Sequence, residues 1–171
     1  MIKRAIILFN LGGPDNPSAI QPFLYNLFKD PSIINLPSIL RVPLAKIISS
    51  RRAKVAKEIY AYLGGKSPLL DSTREQAEAL KTSINSQYPN DKIEIFLCMR
   101  YWHPMSPETV AQVKAFDPEE IVLLPLYPQF SVTTTGSSFS DWRKTALEMG
   151  LHKSTYSICC YATQKKWAEA Q

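Results

Sequence analysis

The chain has 171 residues, of which 45% are hydrophobic and 20% are charged, and its formal net charge is +5. A chain of this length suits one globular domain that buries roughly 70% of the surface of its unfolded state. The composition excludes an intrinsically disordered protein, and no apolar run approaches the ~18 residues of a membrane-spanning helix.

The N-terminal predicted elements are a strand and a helix. Residues 5–10, AIILFN, form an almost continuously apolar run, which is typical of a strand covered on both faces in a parallel sheet. Residues 18–29 place apolar side chains at spacings of three and four, which predicts a helix with one buried stripe. Asp30-Pro31 ends this helix, because a residue before proline avoids the helical conformation.

Two further helices are predicted before the next strand. The first covers roughly residues 38–63 and ends at Gly64-Gly65. The second covers residues 72–84, where Ser72 and Glu75 have the spacing of a capping box at the start of a helix.

A concentrated basic patch lies within the first of these two helices. Such a patch can meet a nucleic acid, an acidic membrane surface or a carboxylate-bearing substrate, and a solvated helix face is the simpler alternative. Its members fall within 17 positions and are Arg41, Lys46, Arg51, Arg52, Lys54 and Lys57.

Strands and helices alternate in the rest of the chain. Strand-like runs occupy residues 92–99, 120–127 and 154–161, with helical patterns at 107–116 and 138–149. This alternation predicts βαβ units with right-handed crossovers. The expected fold is therefore α/β: a three-layer, Rossmann-like domain with a four-stranded parallel sheet.

We expect one domain over residues 1–171. Residues 163–171 look like the opening of another helix without a C-terminal cap, which favours a longer parent protein, although an intact protein with a frayed last helix also fits.

The three cysteines, Cys98, Cys159 and Cys160, have neither the spacing of a metal site nor that of a disulfide framework. Their apolar surroundings predict buried, small hydrophobic side chains in a reducing compartment. No signal peptide is visible. We therefore expect a cytoplasmic protein, with contact to a membrane surface left open.

Three unusual segments directly follow predicted strands and so fall on one edge of the sheet. They are 11–14 (LGGP), 99–104 (MRYWHP) and 127–138 (YPQFSVTTTGSS). Ligands of open α/β sheets bind at this carboxyl edge. Aromatic, hydroxyl and arginine side chains there suit a planar aromatic ligand with carboxylate groups. No nucleic acid is expected, because basic and aromatic residues do not interleave along one element.

Catalytic groups are scarce in the sequence. The glycines match neither of the nucleotide-binding motifs G-x-G-x-x-G and G-x-x-x-x-G-K-[ST]. No metal-ligand spacing or G-x-S-x-G motif occurs either. His103 lies on the ligand edge, where a general base, a metal ligand and a structural histidine remain open alternatives. The residues alone therefore describe a binding domain better than a catalytic one.

Five ordered segments together resemble the N-terminal half of ferrochelatase, and the resemblance covers essentially the whole chain. It implies a chelatase-like fold, the first of two similar Rossmann-like halves with a porphyrin in the cleft between them. It also implies a lyase of heme and porphyrin biosynthesis, which inserts ferrous iron into protoporphyrin IX to form protoheme. The segments are 9–14, 27–34, 51–69, 99–104 and 124–138.

The resemblance also implies porphyrin-binding positions. Arg52 is the implied partner of a propionate, and Leu11 favours protoporphyrin IX because relatives acting on coproporphyrin generally have tyrosine there. For the apolar positions, ordinary core packing is the alternative. Positions on the apolar lip and wall are Leu11, Leu24, Leu27, Ile33 and Ile48. Polar positions are Arg51 and Arg52 at the mouth, Tyr60, Ser67, Ser131 and Thr133 toward the propionates, and Arg100 and Tyr101 on the deep side.

The family's catalytic histidine and its partnering glutamate lie in the second half, and no Ser-Ala-His-Ser-like stretch occurs here. We therefore expect no catalytic residue, metal ligand or bound cofactor in this chain, with ferrous iron a substrate and an iron–sulfur cluster left undecided. The leading hypothesis is a ferrochelatase seen in part. The alternatives are an inactive, truncated porphyrin-binding half-domain and a relative acting on another tetrapyrrole.

Overall fold

The computed structural model describes residues 1–169, and its centre is a four-stranded parallel sheet with the order β2-β1-β3-β4. The α/β architecture predicted from the sequence is thereby confirmed. The strands are β1 (Lys3–Asn10), β2 (Lys92–Met99), β3 (Glu120–Pro125) and β4 (Ser154–Ser157).

Strand β1 is central because its apolar run pairs on both sides. Ile6 lies opposite Ile95 of β2 and opposite Val122 of β3. Every residue from Ala5 to Phe9 is at most 6% exposed, as expected for a strand covered on both faces.

Helices cover the two faces of the sheet unequally. One face packs Ile7 and Phe9 of β1 against the two helices that follow β2 and β3. The other face packs Ile6 and Leu8 against one helix. In chain order the helices are α1 (Ile20–Lys29), α2 (Ser38–Ala61), α3 (Leu69–Gln87), α4 (Ser106–Phe116), α5 (Ser137–Glu148) and α6 (Lys165–Glu169). Helices α4 and α5 form the first layer, and α3 forms the other.

Several predicted boundaries differ from those of the structure, and two of the differences affect the interpretation. Helix α3 begins at Leu69, so Ser72 lies inside it and donates its backbone N–H to the Pro68 carbonyl, 3.0 Å away, rather than capping the helix. Strand β4 ends at Ser157 instead of 161. Ile158 still donates its N–H to the Leu123 carbonyl of β3 at 2.9 Å, but the Tyr161 N–H donates to the Pro128 carbonyl, which lies beyond the end of β3. As a result Cys159 and Cys160 are exposed, contrary to the prediction, and only Cys98 is buried.

Helices α1 and α2 pack against each other outside the sheet layers. Helix α2 turns a narrow stripe of small residues inward, with Ala45, Ser49 and Ala53 all buried. Small side chains allow two helices to approach closely. No helix within residues 1–169 is both long enough and apolar enough to cross a membrane.

Candidate functional site

The loops after β1 and β2 are joined by backbone hydrogen bonds that extend the parallel ladder beyond the strands. The Arg100 N–H donates to the Asn10 carbonyl at 2.9 Å, and the Tyr101 N–H donates to the Leu11 carbonyl at 3.0 Å. Leu11, Arg100 and Tyr101 therefore lie side by side at the carboxyl edge, as the sequence predicts for a ligand site.

The two glycines after β1 allow other segments to approach this loop. Gly12 has φ +82°, which favours glycine, and a Cβ there would lie 3.0 Å from the Trp102 nitrogen. A Cβ on Gly13 would lie 2.5 Å from the Ser67 side chain. The Ser67 N–H also donates to the Pro14 carbonyl at 2.7 Å. The structure thus brings Ser67 beside the loop that carries Leu11.

A buried carboxylate, Asp30, ties this edge to α1 and α5. Its side chain is 1% exposed and accepts hydrogen bonds from Arg100 Nη2 at 2.7 Å, Tyr101 Oη at 2.9 Å and Ser137 Oγ at 2.5 Å. The Ser32 N–H donates to its other oxygen at 2.7 Å. A buried charge is tolerated when it is paired and hydrogen-bonded to this extent.

Electrostatics keep Asp30 ionised. Burial alone would raise the pKa of its carboxyl, but the hydrogen bonds from Ser137 and the Ser32 N–H, the charge of Arg100 and the Tyr101 hydroxyl outweigh it and lower the pKa. Ser137 is the first residue of α5, so the positive end of the helix dipole acts in the same direction. Burial and the neighbouring Asp30 raise the pKa of Tyr101, which remains a neutral hydrogen-bond donor.

This network determines what Arg100 and Tyr101 present to a ligand. Tyr101 is fully buried, and Arg100 Nε donates to Ser137 Oγ at 2.7 Å while its Nη1 lies 3.5 Å from Asp141. Two carboxylates thus neutralise the Arg100 charge. The pair lies behind the loops of this edge, and its place on the deep side of a porphyrin pocket stays a prediction.

The hydroxyl-rich segment after β3 forms a π-helical turn, Val132–Gly136, that leads directly into α5. Ser131 caps the turn by accepting the Thr133 N–H, and the two hydroxyl oxygens are 2.9 Å apart. Ser131 and Thr133 are both half-buried. Short π-helical turns occur frequently at functional sites, so the turn is consistent with the predicted role of these hydroxyls.

The remaining predicted positions lie on the α1–α2 pair beside the edge. Asn26 of α1 donates its side-chain amide to the Tyr101 carbonyl at 3.2 Å, which fixes α1 against the loop after β2. The Arg52 guanidinium lies 5.6 Å from the centre of the Phe28 ring, and both Arg51 and Arg52 are exposed. Half-buried members of the set are Leu11, Leu24, Leu27, Ile48, Tyr60 and Ser67, and Ile33 is 37% exposed.

His103 pairs with a carboxylate at the start of α4. Its Nδ1 lies 2.8 Å from Glu108 Oε2, and its side chain is 57% exposed. The pair lies at the surface, where the same Glu108 carboxylate also accepts the Met105 N–H at 2.7 Å. Within residues 1–169 no group of three or more histidine, cysteine or acidic side chains is placed to hold a metal ion.

Sequence reasoning missed Asp30 and Asp141 as members of this edge. From the sequence, Asp30 is assigned only to the end of a helix. Its position before a proline and among apolar residues was the signal that could have indicated a buried carboxylate. Asp141 also accepts the Ser106 hydroxyl at 2.6 Å, which links α5 to the start of α4. These carboxylates fix the edge, while the residues predicted for the ligand lie around them.

Known proteins are similar to this chain over almost its whole length. A family model described as ferrochelatase matches residues 3–171. The chain is 50% identical to a ferrochelatase of Pelagibacter ubique over 99% of its length and 49% of that relative's. It is 52% identical to one of Phenylobacterium zucineum, of which it covers 48%, and 50% identical to one of a Wolbachia strain, of which it covers 53%. The chain thus spans about half the length of the curated relatives it matches.

Proposed function

The chain belongs to the ferrochelatase family, and we propose that it forms one wall of a site in which ferrous iron is inserted into protoporphyrin IX. The observation that supports this most is the joining of the loops after β1 and β2. It places Leu11 next to the Arg100–Tyr101 wall, with Ser67 close by. An apolar contact flanked by hydroxyls and arginines suits a flat macrocycle with carboxylate tails.

The roles proposed for the residues follow from the resemblance to ferrochelatase. Leu11, Leu24, Leu27 and Ile48 would contact the ring, while Ser131 and Thr133 would donate hydrogen bonds to the propionates. Arg52, whose exposed side chain lies over the Phe28 ring, is the charged partner that the resemblance implies for one propionate. Leucine at position 11 favours protoporphyrin IX over coproporphyrin, as in the resemblance described above.

Substitution of Arg52 tests this proposal. We expect Arg52→Ala to weaken protoporphyrin IX binding by ~1.5–3 kcal/mol, because a charge-assisted hydrogen bond is lost. The measurement is a titration that follows quenching of tryptophan fluorescence. Lys144→Ala, on the exposed face of α5, is the matched control and should bind like the parent protein. An unchanged Kd for Arg52→Ala would remove Arg52 from the site.

Iron insertion distinguishes the two leading hypotheses. The resemblance assigns the catalytic histidine and its glutamate partner to the half of the relatives that these residues do not match. We therefore propose that these 171 residues bind porphyrin without metallating it. Formation of protoheme by this chain alone, measured by absorbance, would contradict the half-domain hypothesis and support a complete catalytic site.

We further propose contact with an acidic membrane surface through α2. Its outer side combines exposed apolar side chains, such as Ile39 at 80% and Ile47 at 51% exposure, with exposed lysines such as Lys46. Apolar area and positive charge together favour anionic lipids. Cosedimentation with phosphatidylserine-containing vesicles should exceed that with neutral vesicles and decrease with salt. Equal binding to both lipids would contradict the proposal.

A further inference from the structure

Two adjacent thiols lie exposed where the chain leaves the sheet. Cys159 and Cys160 lie two and three residues beyond the end of β4, and their sulfur atoms are 3.3 Å apart. In a regular strand, neighbouring side chains point to opposite faces. The short sulfur–sulfur distance therefore shows that the backbone after Ser157 has turned so that both thiols share one side.

We propose that Cys159 and Cys160 form a reversible oxidation site, at which a peroxide oxidises the two thiols to a disulfide between them. Cys159 donates its thiol hydrogen to Cys160 Sγ, and this hydrogen bond raises the pKa of Cys159. The Cys160 thiolate therefore makes the first attack on a peroxide oxygen and becomes a sulfenic acid, with release of water or an alcohol. The second thiol then attacks that sulfur and releases water, so that two thiols and one peroxide yield one disulfide. Both sulfur atoms are accessible for the first step, and their proximity favours the second.

The geometry of neighbouring residues makes this disulfide easy to reduce again. Two Cα atoms joined by a trans peptide are about 3.8 Å apart, whereas ordinary disulfides have Cα separations of about 4.4–6.8 Å. The closed ring is therefore strained. Strained, exposed disulfides have high reduction potentials and are the labile ones, so we expect the bond to act as a reversible modification.

Backbone hydrogen bonds on both sides connect the pair to β3 and to the segment that follows β3. The Ile158 N–H donates to the Leu123 carbonyl at 2.9 Å, and the Tyr161 N–H donates to the Pro128 carbonyl at 2.9 Å. Ring closure at residues 159–160 would change the distance between these two attachments. Pro128 lies three residues before Ser131, so oxidation would move the backbone that leads into the hydroxyl-rich turn.

Cys98 provides an internal control for this chemistry. It is buried, and its Sγ lies 3.4 Å from the Ser106 hydroxyl. Burial raises the pKa of its thiol to about 12, which leaves almost no thiolate to react near neutral pH.

The test is to treat the chain with hydrogen peroxide, block the remaining thiols and measure the intact mass. We expect a monomer lighter by about 2 Da before blocking, with one blocked thiol, and full recovery with dithiothreitol. Cys98→Ala should oxidise like the parent protein, whereas Cys159→Ser and Cys160→Ser should each lose the disulfide product. Hydrogen exchange at residues 161–162 should be faster in the oxidised protein than in the reduced protein, whereas exchange in β2 should be the same in both.

Other products would overturn the proposal. Disulfide-linked dimers as the main product would show that the sulfur atoms prefer partners on other molecules. A sulfinic acid on one cysteine, with the other still free, would show that the second thiol does not reach the first. Unchanged hydrogen exchange at residues 161–162 would refute the connection to Pro128.

Discussion

Replacing Asp30 by alanine should lower the free energy of unfolding by about 3–5 kcal/mol, because a buried ion pair loses one partner. Arg100, Tyr101 and Ser137 would all lose their shared acceptor. Such a loss is a large fraction of the 5–15 kcal/mol that stabilises an ordinary domain. Urea unfolding followed by circular dichroism measures it.

Asp30→Asn keeps the shape of the side chain and removes its charge, so it should cost less than the alanine substitution. The exposed Asp15 belongs to the loop after β1 and provides the matched control. Asp15→Ala should change stability by no more than about 0.5 kcal/mol, as is usual for surface positions. If Asp30→Ala were as mild as Asp15→Ala, the network around Asp30 would not hold the edge together.

The stabilising effect of Asp30 should also depend on pH. Its folded-state pKa is lowered, so its contribution is fully present above the ordinary aspartate pKa of about 3.9 and is lost as pH falls through the folded-state value. The stability difference between the parent and Asp30→Asn should therefore be constant from about pH 5 upward and shrink in more acidic solution. A difference that grew below pH 4 would contradict this sign.

Trp142→Ala should also destabilise the fold by about 3–5 kcal/mol, because a large buried ring leaves a cavity. Trp142 is 1% exposed and packs edge-on against Phe9, with ring centres 5.9 Å apart. This contact joins α5 to the central strand. Since α5 begins at Ser137, the substitution should loosen the Asp30 network as well as the core.

Trp167→Ala is the matched control for this substitution. Trp167 is half-buried in the short helix α6 and contacts the Tyr161 ring, so its removal should cost much less. The comparison uses urea midpoints under identical conditions. Trp142→Phe, which retains part of the ring contact, should fall between the parent and Trp142→Ala. Equal losses for Trp142→Ala and Trp167→Ala would place the main core elsewhere.

The regular elements could be predicted from the sequence because their signals are local. The apolar run at 92–99 matches β2 at both ends. The prediction made β4 too long because Ile158, Cys159 and Cys160 continue an apolar pattern, although of these three only Ile158 donates a backbone hydrogen bond to β3. Position in the sheet, and not residue type, ended that strand. Such a boundary depends on whether a neighbour is present to accept hydrogen bonds, which local patterns do not encode.

The site was predictable only in outline. The predicted parallel sheet and the carboxyl-edge rule placed the three loops on one edge, and the resemblance proposed residues on them. The Asp30 network was out of reach, because Asp30 is 70 residues from Arg100 and 107 from Ser137. A carboxylate that serves as the shared acceptor of distant donors has no local pattern. The same limit explains why Arg100 was expected at a ligand, while the structure shows it already paired.

The central position of β1 has a consequence for how the chain is made. Residues 3–10 are synthesised well before their partners in β2 and β3, which begin at residues 92 and 120, respectively. Until then the segment AIILFN has apolar side chains, high β-propensity and no charge, which is the composition of an aggregation-prone strand. Long-range parallel pairing also folds slowly. The nascent chain therefore exposes an apolar, strand-forming segment until β2 and β3 have been made, and transiently exposed segments of this kind are prone to aggregate.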